Sequence, residues 1–312
     1  AVAPELPEKI FVEKVPGSRF HSPDGTWWGY NQTKIARYRD TVFMYVIQND
    51  DDSDKTPSRL VVYKKTGNSA WEQGASFFTS RPGNLLVDSK GALHVFVFEP
   101  TNAARDAAIG KLMHYEFPNA GAGDIINYQS ETVVEPKDNV ETANFRVGAA
   151  IGADDTLAIG FGLTNNPDYP GQSEHIFIKQ AGEKAWRHEI AGVNLGHDFY
   201  YPFVLFGENG RPHILAVQDD WRDDGNPKTY DNIYQKIIYF SREEGGLWDR
   251  KIIADLSNHE LAERRPRLLE QSDLYEDAAG AIHILYKEFL HPDNDWQTSK
   301  IWHLVKDAAG WR

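Results

Sequence analysis

Asn84-Leu85-Leu86-Val87-Asp88-Ser89-Lys90-Gly91-Ala92-Leu93-His94-Val95, continuing through Phe98, is the stretch that decides the fold. Two apolar runs flank a polar turn that contains glycine. Glycine supplies the positive φ a tight hairpin requires, so the stretch reads as two antiparallel strands. The same pattern recurs at Gln32–Ile47, with its turn at Arg39-Asp40, and at Phe145–Leu163, with its turn at Ala153-Asp154-Asp155. It returns at Pro202–Val217 around Glu208-Asn209-Gly210 and at Pro266–Lys287 around Asp277-Ala278-Ala279-Gly280. Second strands therefore begin near positions 40, 91, 155, 210 and 280, a repeat of about 62 residues.

A second hairpin follows each pair. Its turn carries Lys-x-x-Gly-x-x-x-Trp or a variant: Lys64–Trp71, Lys179–Trp186, Arg242–Trp248 and Lys306–Trp311. The second repeat lacks the Trp, and its third strand Lys111–Phe117 runs into Pro118–Asp124 and then Ile125–Val134. Four strands per repeat, no helical period and a Trp that wedges between neighbouring sheets describe a propeller blade. The expected fold is all-β: one domain over residues 1–312, a five-bladed β-propeller of four-stranded blades. The run Lys9-Ile10-Phe11-Val12-Glu13-Lys14-Val15 is a spare strand, and the fifth repeat stops at Arg312 where its fourth strand should begin. Joining the two closes the last blade with the N-terminal strand and leaves no exposed sheet edge.

Composition limits function. The net charge is −13, which argues against a nucleic-acid partner, since phosphate recognition needs a basic surface. No apolar run approaches the roughly 20 residues of a spanning helix, so membrane insertion is not expected. The chain contains 0 Cys, which excludes disulfides, zinc–thiolate sites and thiol catalysis. Ala1-Val2-Ala3-Pro4 reads as a mature end left by signal cleavage, which places the protein outside the cytoplasm, secreted or periplasmic. A monomer is expected.

The outer hairpins resemble the Asp-box hairpin (Ser-x-Asp-x-Gly-x-Thr-Trp) of sialidase-like BNR propellers; Gly and Trp are kept, Ser and Asp are not. Strand pairs such as Asn84–Val95 also resemble those of BNR-type propellers among ulvan lyases and rhamnose–glucuronate lyases. That resemblance implies a propeller fold and a polysaccharide lyase. Those enzymes typically carry a His opening an inner strand and another further along. Here the opening position reads Arg81-Pro82-Gly83, so their catalytic residues do not carry over.

The residues themselves point to one face. Loops leading into each innermost strand, and loops between second and third strands, share a face, and these are the long ones, rich in aromatic and charged residues. Long loops on a rigid scaffold are where chemistry usually sits. Near the axis Arg81, Arg146, Arg265 and Tyr201 converge, with His197 just upstream. Clustered Arg side chains bind carboxylate or sulfate bidentately. With His197 and Tyr201 as acid–base pair and Arg146 and Arg265 neutralising a carboxylate, the set suits β-elimination from a uronate. Trp28, Tyr30, Asn31, Tyr200 and Trp221 are expected to contact the sugar, with Arg81, Glu99 and Glu288. The leading expectation is thus a carbohydrate-active enzyme on an acidic glycan, a lyase. A glycoside hydrolase using paired strand-end carboxylates (Asp50, Glu99, Asp219, Asp220, Glu288) is the second reading. A lectin-like binding propeller is the third. No metal ligand set and no required cofactor are read, although Asp50–Asp54 and Asp219–Asn226 offer hard oxygens to a structural calcium ion. His94, His114, His175, His213, His283 and His303 alternate inside strands and read as blade-packing residues.

Overall fold

The structure is a computed structural model; it describes Glu13 and residues 32–49, 58–79, 82–100, 110–135, 147–163, 172–194, 199–220, 233–255, 265–291 and 300–312. These fold into five antiparallel sheets of four strands each, every sheet in simple chain order. Blade one holds β1 (Ile35–Tyr38), β2 (Thr41–Asn49), β3 (Ser58–Thr66) and β4 (Glu72–Thr79). Blade two holds β5 (Asn84–Val87), β6 (Leu93–Pro100), β7 (Gly110–Phe117) and β8 (Gln129–Val134). Blade three holds β9 (Gly148–Ile151), β10 (Leu157–Leu163), β11 (Gln172–Lys179) and β12 (Arg187–Asn194). Blade four holds β13 (Phe199–Phe206), β14 (Pro212–Asp220), β15 (Ile233–Arg242) and β16 (Trp248–Asp255). Blade five holds β17 (Arg265–Glu276), β18 (Ile282–His291), β19 (Lys300–Asp307) and β20 (Gly310–Trp311). The inner strands β1, β5, β9, β13 and β17 touch in that order, so the expected five-bladed β-propeller is the fold.

The alternation read in the sequence becomes two packed faces per blade. Leu93, Val95 and Val97 face Phe43, Tyr45 and Ile47 of blade one. Phe96 and Phe98, on the other face of the same strand, meet Leu157, Ile159 and Phe161 of blade three. Ala158 and Ile176 then meet Ile214 and Phe240, and Leu215 and Tyr239 meet Ile282 and Ile284. Blades two, three and four are each a dry layer between two others, which is why their second strands read as nearly continuous apolar runs.

The hairpin turns carry the repeat's chemistry. Asp88 Oδ1 accepts from the amides of Lys90 and Ala92, and Asp277 Oδ1 does the same for Ala279 and Ala281. Gly91 has φ 90°, and a Cβ there would stand 2.7 Å from the Tyr38 ring of blade one, so both conformation and space demand glycine. Trp186, Trp248 and Trp311 of the outer hairpins wedge between blades as expected, whereas Trp71 packs on Val46, Val61 and Tyr63 of its own blade. Trp186 meets Phe96 and His114 edge-on, Trp248 donates to Glu189 Oε2 at 2.9 Å, and Trp311 meets the Tyr239 ring. In blade two, which lacks the Trp, a short 3-10 turn at Ala120–Ala122 leads to Ile125 and Tyr128; the Ile125 carbonyl accepts from Ala75, and the Tyr128 ring lies against Phe77.

The fifth blade's fourth strand is supplied at residues 310–311, extended by the mutual backbone hydrogen bonds of Arg312 and Val305. The expected closing run Lys9–Val15 lies outside the described residues except for Glu13, whose carboxylate is paired with Lys65 of blade one.

Candidate functional site

The face receiving the long loops has a floor of inner-strand starts. Asn84 is fully buried and ties three blades together. Its Nδ2 donates to the Val147 carbonyl at 2.5 Å, and its Oδ1 accepts from the Thr33 amide at 3.1 Å. Thr33 O accepts from Leu85, and Tyr45 Oη donates to the Gly83 carbonyl at 2.8 Å. Next to this knot, the Gln32 amide is buried, and neither of its polar atoms has a hydrogen-bond partner among the described residues. Gly148 lies so close to blade four that a Cβ would stand 2.0 Å from the Pro202 carbonyl. Polar, rigid and glycine-tight, this floor fixes where the loops above it begin.

Of the residues expected at the site, Tyr201, Glu99 and Glu288 have described side chains. Tyr201 sits beside a register shift in the β13–β14 pairing with φ 53°, a left-handed value that costs a non-glycine residue strain. Its ring is buried with Leu215, Val217 and Tyr286, on the side facing blade five. Glu99 accepts a short hydrogen bond from Tyr115 Oη, and Glu288 Oε2 accepts from Trp302 Nε1 at 2.6 Å. The two carboxylates thus lie in blades two and five, each held by an aromatic residue of the adjacent third strand. Arg265 and Tyr200 lie within strands, but their side chains are outside the described residues, as are Trp28, Tyr30, Asn31, Arg81, Arg146, His197 and Trp221. The calcium candidates Asp50–Asp54 and Asp219–Asn226 also fall there in their side chains; among the described residues no cluster of three or more acidic or His groups is arranged to hold a metal.

Two features were not singled out from sequence. Glu174 is completely buried against Gly160 and blade four, and neither carboxyl oxygen has a hydrogen-bond partner among the described residues. Burial raises its pKa well above the usual carboxylate range, so it stands as a neutral acid. A Glu in an otherwise apolar strand face was the only available signal.

The second feature lies on the opposite face. A cleft of about 330 Å³ opens between blades two and three, lined in part by Asp88, Lys90, His94, His114 and Lys179. Glu131 Oε1 accepts from Lys179 Nζ at 2.6 Å and from His114 Nδ1 at 2.7 Å. His114 Nε2 is thereby left as an acceptor, and His94 Nδ1 donates to it at 3.0 Å. Burial, then the neighbouring His114 and Lys179, push the His94 pKa down to about 3, so the His94 ring is neutral. Burial opposes ionisation of Glu131, but the His114 and Lys179 hydrogen bonds outweigh it and hold its pKa at about 2. Blade five repeats the pair with opposite polarity: Asp277 Oδ2 accepts from His283 Nε2 at 3.1 Å, and His303 Nε2 donates to His283 Nδ1 at 2.9 Å. Blade four has His213 bonded to Tyr239 at the same place, 2.6 Å apart. Recurrence in three blades marks these histidines as part of the blade joint, as their alternation in the sequence suggested; His94, His114, His175 and His213 are buried, whereas His303 is exposed.

Comparison with solved structures agrees with the fold. The polysaccharide lyase Uly1 matches with a TM-score of 0.57 at 9% identity, over 95% of this chain and 74% of that one. A protein of unknown function from Dyadobacter fermentans DSM 18053 matches at 0.52 and 10% identity, over 87% and 84%. An endo-arabinase from Bacteroides thetaiotaomicron VPI-5482 matches at 0.43 and 11% identity, over 92% and 96%. At these identities the likeness to the first two is one of fold alone. No protein-family model matches the sequence, and no curated protein matches it.

Proposed function

We propose that the protein is a secreted or periplasmic, monomeric carbohydrate-active enzyme that cleaves an acidic glycan by β-elimination at the face bearing its long loops. One observation carries the proposal: the inner strands of blades one, two and three start from a single hydrogen-bonded knot. Asn84 binds Val147, so Arg146 is one residue from that bond and Arg81 three residues from Asn84, a reach of about 11 Å along the chain. Two arginines so few residues along the chain from that bond, with Arg265 opening β17, support recognition of a uronate carboxylate. The buried Gln32 amide, without a hydrogen-bond partner among the described residues, adds hydrogen-bonding capacity next to that knot.

In the proposed reaction the Arg cluster neutralises the uronate carboxylate and so acidifies the C5 proton. His197 takes that proton, the C4–O bond breaks with formation of a C4=C5 double bond, and the departing oxygen takes a proton from the His197 imidazolium so formed. Tyr201, with its ring buried and backbone strained, holds the His197 loop in position. No helix among the described residues is long and apolar enough to cross a membrane. The test is ultraviolet absorbance of the unsaturated product on a panel of uronate polysaccharides. Product from at least one polysaccharide, lost in Arg146→Ala, is expected; no absorbance from any of them, or wild type equal to Arg146→Ala, refutes the lyase reading.

A further inference from the structure

Blade two differs from its neighbours in how its turn acid meets its strand histidine. The same hairpin places Asp88 and His94 in blade two, Asp277 and His283 in blade five, and Gly207 and His213 in blade four. In blade five the two are bonded, His283 Nε2 donating to Asp277 Oδ2 at 3.1 Å. In blade four the glycine offers His213 no side chain. In blade two Glu131 reverses the relay. It accepts from His114 Nδ1, His94 donates its Nδ1–H to His114 Nε2 at 3.0 Å, and the neutral His94 ring is left with a lone pair on Nε2. That lone pair faces Asp88 Oδ2 across 3.8 Å, too far for a direct hydrogen bond. Asp88 Oδ1 is already taken by the turn amides of Lys90 and Ala92. Two acceptors thus confront each other on side chains only 9% (His94) and 13% (Asp88) exposed, and no described residue donates to either atom. Buried acceptors left unserved are costly, so a donor belongs between them.

Both residues line the cleft of about 330 Å³ between blades two and three, on the face away from the long loops. One water takes up roughly 30 Å³ in the liquid, so the cleft has room for a molecule of monosaccharide size and not only for a bridging water. Its walls are fixed. Asp155 of blade three, held at φ 65°, accepts from the Ser89 amide and hydroxyl at 2.7 Å each and so locks the Asp88 turn across the joint. Charge selects the occupant. The described lining carries the carboxylates of Asp88, Glu116, Asp155 and Glu183 against the ammonium groups of Lys90 and Lys179, and Lys179 is already paired with Glu131. The excess of carboxylate favours a cation.

We propose that this cleft binds a small primary amine, its ammonium group seated between Asp88 Oδ2 and His94 Nε2. One nitrogen about 2.9 Å from each atom spans the gap. An ammonium has three hydrogens, two for these acceptors and one for a further oxygen of the cleft, whereas a hydroxyl has one and leaves an acceptor unserved. A divalent metal needs more ligands, and among the described residues no third His or acid is arranged with these two to hold one. The remaining volume takes the carbon skeleton. Amino sugars and aliphatic diamines share this chemistry. The site stands apart from the Arg-bearing face and does not depend on the elimination proposed there.

The probes are D-glucosamine and putrescine, titrated into the full chain near neutral pH at constant ionic strength and followed by imidazole nitrogen NMR. Before addition, His94 should be the Nδ1–H tautomer. A saturable shift of its Nε2 resonance with either amine supports the site; glucosamine alone assigns it to an amino sugar, putrescine alone to an aliphatic amine. N-Acetyl-D-glucosamine, the same ring without the ammonium, should leave the resonance unmoved. Asp88→Asn keeps the Oδ1 that caps the turn and sets an Nδ2–H donor toward His94 in place of Oδ2. It should weaken amine binding by about tenfold or more, the worth of one charge-assisted hydrogen bond. The wild-type titration decides by itself if that variant does not fold. No saturable shift with either amine (water alone in the cleft), an equal response to N-acetyl-D-glucosamine, undiminished binding in Asp88→Asn, or an Nε2–H tautomer in the free protein would each overturn the proposal.

Discussion

Lowering the pH should reveal the blade joints. His94 and His175 are pushed down to about 3 and His213 to about 4, in each case first by burial and then by neighbouring positive or imidazole groups. In the unfolded chain each titrates near 6.5. Their folded pKa values are depressed, so the stability they confer is complete above about pH 6.5 and lost as the pH falls toward 4. Glu174 acts in the opposite sense: its folded pKa is raised well above the usual carboxylate range by burial, so folding takes up a proton as the pH rises past about 4.5, and stability is lost as the pH rises. Between about pH 6 and 4.5 the unfolded state therefore holds about three extra protons on histidine and lacks about one on Glu174. The net of about two protons gives a slope near 2.7 kcal/mol per pH unit. Over that interval the loss is about 4 kcal/mol, a large share of the 5–15 kcal/mol of an ordinary domain. His188, half-buried and also lowered, adds in the same direction. Denaturant midpoints followed by Trp fluorescence should peak near pH 6.5 and fall on both sides. Glu174→Gln should flatten the alkaline limb and steepen the acid one. A stability profile that is flat from pH 6.5 to 4.5, or that rises toward acid, refutes the neutral-histidine joint.

Other substitutions probe the floor and the seams. Asn84→Ala removes the partners of Val147 O and Thr33 N, leaving two buried backbone groups unpaired, and should cost about 2–4 kcal/mol in chemical denaturation. Gly148→Ala places a Cβ 2.0 Å from the Pro202 carbonyl and must part the inner strands of blades three and four; a loss of about 3 kcal/mol or failure to fold is expected, read as soluble yield and melting temperature. Glu131→Gln keeps the size of the side chain but removes the charge that Lys179 and His114 share; because the site is part-exposed, about 1–2 kcal/mol is expected, with the His94–His114 tautomer shift visible by imidazole NMR.

The sequence disclosed most of the architecture because each blade announces itself through the same hairpin: Asp88-to-Gly91 and Asp277-to-Gly280 close identical turns, and the outer Trp recurs where a neighbouring blade needs a wedge. It concealed what depends on contacts between distant segments. Nothing local marks Asn84 as the knot of three blades, since its partners are 51 and 63 residues away. Glu131 reads as an ordinary strand acid until Lys179, 48 residues on, is brought beside it. Tyr201 reads as a reactive group at a strand start, yet the register shift at Tyr200–Phe203 turns its ring into the joint with blade five. Of the proposed carboxylates, Glu99 and Glu288 look free in sequence, and only the fold supplies Tyr115 and Trp302 to bind them.

The central claim is elimination at the Arg-bearing face, and product mass tests it most directly. Oligosaccharides released from a uronate polysaccharide by the wild-type protein should be one water lighter than hydrolysis products, and Arg146→Ala and Arg265→Ala should release none while retaining wild-type melting temperatures. Products of hydrolytic mass, or light products undiminished in both variants, would contradict it.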